Sequence, residues 1–172
     1  MGIHSEFSDR TVQCTVNGED RTFSVTGTET LLKTLRGAGY YEVKNGCNQG
    51  VCGACNVIVD GDRVTRSCLT PTATLEGSDV MTVAGLTDES GDLHPLQEEF
   101  LAHGAAQCGF CIPGILLSSY QLLQENPDPT RDEIAEQLSG NICRCTGYAQ
   151  QIEAIEAAAD RLRDEAPKQG CD

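Results

Sequence analysis

The sequence predicts an α+β protein built from two successive halves, the first rich in β-strand and the second helical. Two observations predict it. Up to Val83 the apolar residues alternate in short runs separated by Asn-Gly and Asp-Gly pairs. Beyond Leu93 they recur at helical spacing between proline and capping signals.

In the first half, residues 12–16 and 21–25 alternate and are joined through Asn17-Gly18, a strong hairpin signal. Thr30 can cap a short helix over residues 31–38 that ends in Gly39. A glycine- and cysteine-rich loop follows over residues 46–55. Residues 57–59 and 64–67 form two more strands around Asp60-Gly61, and residues 80–83 form a last one. In the second half, Leu96, Phe100 and Leu101 have helical spacing after His94-Pro95. Residues 114–124 make the next helix, stopped by Asn126-Pro127-Asp128-Pro129. Thr130 and Glu133 form a capping box for a helix over residues 131–138. Ile152, Ile155 and Ala159 mark a fourth helix, running to about Arg163. The expected division is a first domain over residues 10–86, a polar linker over 87–93 containing Gly91, a helical domain over 94–165 and a disordered tail over 166–172. No internal repeat is present, although each half carries one cysteine set.

Hydrophobic residues make up 39% of the chain, with 5% aromatics and no Trp. Halves this small fold more securely around an internal staple such as a metal centre or a docked partner. The formal net charge of −14 excludes a nucleic-acid partner, which needs a basic surface. Lys occurs only at positions 33, 44 and 168, and the acidic residues are scattered from Glu6 to Asp172. That scatter favours general surface solvation, as in a salty cytosol, over a single partner-steering patch.

Ten cysteines in 172 residues is far above ordinary usage and needs a chemical reason. Residues 1–10 hold neither an apolar run nor a signal-peptide pattern. No stretch approaches the ~18 apolar residues of a membrane span; the longest apolar patch, residues 112–117, contains Pro113 and Gly114. The expected location is cytoplasmic, without membrane insertion, where thiols stay reduced and clustered cysteines bind metal.

The first set reads Gly46-Cys47-Asn48-Gln49-Gly50-Val51-Cys52-Gly53-Ala54-Cys55, with Cys68 twelve intervening residues later. This C-x4-C-x2-C spacing with a distant fourth cysteine is the plant-type pattern for a [2Fe–2S] cluster. A compact loop wraps one side of the cluster while the fourth sulfur arrives on another element. Gly46, Gly50 and Gly53 allow close approach and let amide N–H groups point at sulfur. A zinc site prefers paired C-x2-C knuckles and fits poorly. Cys14, inside a predicted strand, reads as a small buried hydrophobe.

The second set is Cys108 and Cys111, then Cys143 and Cys145, with thirty-one residues between the pairs. Each pair immediately precedes a predicted helix, where free N–H groups favour an anionic centre. Spacing alone leaves an iron–sulfur cluster and zinc both open here. A redox dithiol at Cys108/Cys111 would leave Cys143 and Cys145 unexplained.

Three strings carry a further signal: residues 46–55, Gln107-Cys108-Gly109-Phe110-Cys111-Ile112-Pro113-Gly114 and Gly140-Asn141-Ile142-Cys143-Arg144-Cys145-Thr146-Gly147-Tyr148. In this order they resemble the iron–sulfur subunit of the molybdenum hydroxylases. This is the xanthine oxidase family, which includes aldehyde oxidoreductases and aerobic carbon monoxide dehydrogenases. The resemblance covers about residues 11 to 163. It implies an N-terminal β-grasp ferredoxin-like domain and a C-terminal four-helix domain, each with one [2Fe–2S] cluster. The ligands it implies are Cys47, Cys52, Cys55 and Cys68 for the first cluster. For the second they are Cys108, Cys111, Cys143 and Cys145.

The resemblance also implies partners. A large subunit would hold a molybdopterin-type cofactor and a medium subunit FAD, with single electrons passing through the helical-domain cluster and then the ferredoxin-like one. Gln107 and Cys145 would lie beside the pterin, and residues 48–51 would face the flavin side. The chain stops after the helical domain, matching a separate small subunit, and carries no catalytic acid, base or nucleophile. A self-standing two-cluster ferredoxin is the alternative, and a zinc-stabilised interaction module a third reading. His94 reads as a helix-start residue, His103 as surface or packing, and Cys171 as a free thiol. Arg144, between two ligands, either offsets cluster charge or is simply solvated.

Overall fold

The computed structural model describes residues 10–88 and 90–165; the tail expected to be disordered, with Cys171, lies outside the described residues. Strands β1 (Arg10–Val16) and β2 (Glu19–Val25) pair antiparallel with Val12 opposite Phe23. Their turn places both Asn17 (φ 53°) and Gly18 (φ 78°) in the left-handed region, as a twisted two-residue hairpin requires. Helix α1 (Leu31–Gly37) starts where the Thr30 side chain accepts the Lys33 N–H. Strands β3 (Asn56–Val59) and β4 (Arg63–Arg66) form the second hairpin, and β5 (Asp79–Met81) completes a five-stranded sheet of order β2-β1-β5-β3-β4.

β1 and β5 run parallel, so a long crossover must join them, and that crossover carries α1, the cysteine loop and the β3–β4 hairpin. The last strand stops at Met81 rather than reaching Val83. There the Thr82 hydroxyl accepts the Ala84 N–H and caps a 3-10 turn over Val83–Leu86 instead.

The second half contains α2 (Pro95–Ala102), α3 (Ile112–Glu125), α4 (Arg131–Leu138) and α5 (Ala149–Glu165). Capping boxes start two of them: His94 with Gln97 at α2, and Thr130 with Glu133 at α4. The fourth helix is longer than expected at both ends. Leu96 and Phe100 face the core, but Leu101 is 68% exposed, because one residue further round the helix turns it to solvent. None of the described helices is long and apolar enough to cross a membrane.

The two halves share an interior. Val57 and Val59 of β3 pack into the sheet–α1 core with Leu31 and Leu35, whereas Ile58 points the other way into the helical core with Leu96, Ile115 and Ile155. All four β3 residues are buried, the mark of a strand covered on both faces. Its outer cover is α3, which also packs against α2 and α4.

Candidate metal centres

The cysteine loop between α1 and β3 turns on left-handed residues, Asn48 (φ 54°), Gly50 (φ 72°) and Gly53 (φ 70°). At Gly53 a side chain is excluded twice over, since a Cβ would lie 2.5 Å from the Gly140 carbonyl and 2.6 Å from Asn141 Nδ2. The Gln49 N–H donates to Cys47 Sγ at 3.3 Å. Cys55 and Cys68 are buried, and Cys68 is brought in by the chain leaving β4. Ser67 donates from both its N–H (3.3 Å) and its hydroxyl (2.6 Å) to the Cys55 carbonyl, and its own carbonyl accepts the Leu32 N–H. The fourth cysteine is thus tied between the loop and α1.

The second set is assembled from two separate loops. Cys111 occupies the N-cap of α3, and Cys143 and Cys145 lie in the loop that enters α5 through Tyr148 (φ 69°). The Tyr148 hydroxyl accepts from Cys143 N–H at 2.8 Å and donates to the Asn141 carbonyl at 2.9 Å, pinning the loop. Gln107 Nε2 donates to the Cys145 carbonyl at 3.2 Å, joining the two loops at the surface, where Gln107, Cys108 and Cys145 are all exposed.

Within both sets the thiols stand in pairs: Cys47 with Cys52, Cys55 with Cys68, Cys111 with Cys143, and Cys108 with Cys145. The last two sulfurs are 3.6 Å apart. Two sulfurs at about 2.3 Å from one tetrahedral metal sit about 3.8 Å apart, so such a pair matches one metal ion. Among the described residues no three His, Cys, Asp or Glu side chains gather around a single ion. Pairs of thiols suit a two-iron cluster, in which each iron takes two protein sulfurs.

The protonation chemistry fits the same group. Backbone N–H groups, that of Gln49 first, pull Cys47 down to about 6. Burial works against the Cys143 thiolate, yet hydrogen bonds from Thr146 and from the Cys145 backbone outweigh it and bring it down to about 7. Burial and the Cys55 thiol push Cys68 up to about 11, and burial with Cys143 pushes Cys111 up to about 12. Some thiolates therefore form readily, while the buried ones need a bound cation to lose their protons.

Between the two sets lies a polar seam that sequence reasoning missed. Arg66 donates to the Gly50 carbonyl (3.2 Å), the Gly140 carbonyl (2.8 Å) and Asn56 Oδ1, and has no carboxylate partner among the described residues. Buried Asn56 donates to the Gly114 carbonyl and Ser118 Oγ, Ser118 donates to Asn141 Oδ1, and Asn141 Nδ2 donates to the Gly53 carbonyl. Most directly, the Ile142 N–H donates to the Cys52 carbonyl at 2.9 Å. Gln151, also missed, is fully buried on α5. A sequence signal existed for it, because Gln151 is the polar member of an otherwise apolar stripe with Ala154, Ile155, Ala158 and Ala159.

His94, His103 and Cys14 fall outside these centres, while Arg144 sits between two thiols of the second set. His94 caps α2 and stacks edge-on against Tyr120 at 5.4 Å, and His103 sits at the end of α2 beside Glu99. Arg144 is exposed, and Cys14 is a buried residue of β1.

Comparison with known proteins meets this geometry from a different direction. Residues 14–82 match the 2Fe-2S iron-sulfur cluster binding domain, and residues 82–156 match the [2Fe-2S] binding domain. The chain is 49% identical over 157 residues to the nicotine 6-hydroxylase small subunit of Paenarthrobacter nicotinovorans, covering 90% of this chain and 93% of that one. It is 43% identical over 152 residues to the nicotinate dehydrogenase small FeS subunit of Eubacterium barkeri, covering 88% and 96%. Among solved structures, quinoline 2-oxidoreductase from Pseudomonas putida 86 superposes with a TM-score of 0.85 at 43% identity, over 91% of this chain and 98% of that one. Two cluster-binding domains in this order, fused through one seam and shared nearly end to end with small subunits of such enzymes, leave one conclusion: the chain belongs to the iron–sulfur, electron-transferring subunits of the molybdenum hydroxylases.

Proposed function

We propose that this chain relays single electrons between a molybdopterin-type cofactor on a large subunit and FAD on a medium subunit, in the cytoplasm. Cys108, Cys111, Cys143 and Cys145 hold the first [2Fe–2S] cluster on the route. Cys47, Cys52, Cys55 and Cys68 hold the second. The ferredoxin-like domain spans residues 10–86 and the helical domain 94–165. When bound, each cluster supplies a one-electron redox site. The substrate-converting site belongs to the partner.

The observation that carries this reading is the 2.9 Å hydrogen bond from Ile142 N–H to the Cys52 carbonyl. Ile142 precedes Cys143, so a ligand of one set connects to a ligand of the other through peptide bonds and one hydrogen bond. Gln107, Cys108 and Cys145 are open to solvent, which leaves one end of the second set free to meet a docked cofactor. Near the other set, Val51 (59%) in the loop over residues 48–51 and Leu69 (58%), which lies over Gly50, are exposed apolar residues. They support a second docking face there.

Metal and sulfide analysis of the natively purified protein tests the proposal together with its co-purifying chains. The expected result is four irons and four sulfides per chain, with a larger molybdenum-containing chain attached. Stoichiometric zinc without visible absorbance overturns the cluster assignment, and a chain that purifies alone overturns the relay.

A further inference from the structure

Among the described residues, Gln151 is the one polar member of the largest fully buried side chains, and the ligand sets assigned above do not use it. Its Nε2 lies 3.6 Å from Cys143 Sγ, 3.9 Å from Cys111 Sγ and 3.5 Å from the Ala105 carbonyl. Its Oε1 has no hydrogen-bond partner among the described residues. Turning the amide over would set its oxygen against two sulfurs and a carbonyl, and would strand the NH2 group instead, so the donor faces the cysteines. A leucine would fill the same space with no orphaned atom. An amide retained at that cost points to what its N–H groups do.

Both sulfurs it reaches belong to the inner pair. The outer pair has no such buried side-chain donor: Gln107 Nε2 donates to the Cys145 backbone carbonyl, and the Cys145 sulfur meets the Cys108 backbone N–H and solvent. Cys143 Sγ gains a further contact, 3.3 Å to Thr146 Oγ1. The inner pair is also the one beside the Ile142–Cys52 hydrogen bond.

Resting on the ligand set proposed above, we infer that Gln151 is a tuning residue: its amide N–H groups hydrogen-bond the Cys111 and Cys143 sulfurs and raise the reduction potential of the helical-half cluster. The step balances simply. One electron arrives from the reduced molybdenum cofactor of the partner, or from dithionite in a titration, and the cluster gains one negative charge with no proton. Donors to sulfur stabilise the more negative state more than the less negative one, which raises the potential. Gln151 reaches only the Cys111 and Cys143 side of the ligand set, so its effect would fall on the helical-half cluster alone.

The test is potentiometric EPR of the purified holoprotein and of Gln151→Leu, with the helical-half signal identified as the one that Cys108→Ser perturbs. The expected result is a lower midpoint potential for that signal and no shift in the other. Unchanged potentials in an iron-replete Gln151→Leu protein overturn the inference and leave a packing role only. If Gln151→Leu loses its iron, the wild-type protein decides. With glutamine-side-chain 15N label and in D2O, the reduced helical-half cluster should show hyperfine coupling to that nitrogen and to exchangeable protons. Its absence overturns the inference. Failure of the relay reading looks different, since wild-type protein would then lack two separate [2Fe–2S] signals.

Discussion

In the first half, three of the four clustered cysteines come from one glycine-bent loop and the fourth is tied to it by Ser67, the residue that directly follows β4. In the second half, two short loops far apart in sequence must be brought together by the packing of α3 against α5's surroundings, and half of the thiols stay exposed. The first site is therefore local in sequence, while the second is a product of tertiary structure. The difference teaches where each should fail. A local loop tolerates distant change but not loss of its buried thiols. An assembled site depends on every contact that aligns its two loops, including those made by the first half.

The sharpest way to break that comparison is to push the halves apart. A Cβ at Gly114 would lie 2.0 Å from the Gly53 carbonyl, inside both the first cysteine loop and the start of α3. Gly114→Ala should cost about 3 kcal/mol or more and lower iron content in both sites. Gly37→Ala, where nothing lies within 4 Å, should be neutral in the same thermal-unfolding and iron assays. Full iron loading in Gly114→Ala would mean that the seam does not support the sites.

Single-ligand changes come next. Cys145→Ser, at an exposed position, should damage the helical-half EPR signal and leave the ferredoxin-like signal largely intact. Cys55→Ser, at a buried thiol, should remove the ferredoxin-like signal and destabilise the shared β3 interior as well. Equal damage to both signals from Cys145→Ser would contradict the proposed separation of ligand sets.

A smaller effect is expected at Arg66, which clamps Gly50 and Gly140 across the seam. Arg66→Met should cost about 2 kcal/mol, as a hydrogen bond from a charged donor contributes about 1.5–3 kcal/mol net of exchange with water. Chemical denaturation reads this directly, and an unchanged midpoint would show the clamp to be idle.

The smallest effect concerns pH and the helical half alone. Burial, with Arg161 nearby, holds His94 below its ordinary value, and its Nδ1 must be unprotonated to accept the Leu96 N–H at 3.1 Å. A histidine depressed on folding binds more protons when unfolded. Its contribution is therefore present above the unfolded value of about 6.5 and is lost as pH falls through the folded one. His94→Asn keeps a capping side chain without the titration. Between about pH 7.5 and pH 5.5 the wild type should lose roughly 1 kcal/mol more than this variant. Equal losses would remove His94 from the account.

Much of this molecule could be read from its sequence because local chemistry encodes it. Asn17-Gly18 and Asp60-Gly61 adopt the left-handed turns their residue types favour, and Thr30 and Thr130 cap the helices they precede. The cysteine spacing of the first loop likewise reports a local geometry. The seam was not legible, because Asn56, Arg66, Ser118 and Asn141 meet only after β3 and α3 are packed, and nothing in any one segment signals its partner. The strand expected to reach Val83 ends at Met81 for a local reason, since the single Thr82 hydroxyl caps the turn that follows. Gln151 is intermediate: its place on an apolar stripe was visible, but its targets were not.

The central claim, two [2Fe–2S] clusters on eight cysteines joined across one seam, is tested most directly by EPR of the fully reduced wild-type holoprotein. The account predicts two signals of equal spin from one chain, each split or broadened by the other when both are reduced, because their ligand loops are one hydrogen bond apart. A single signal, or two that show no mutual interaction, would contradict it.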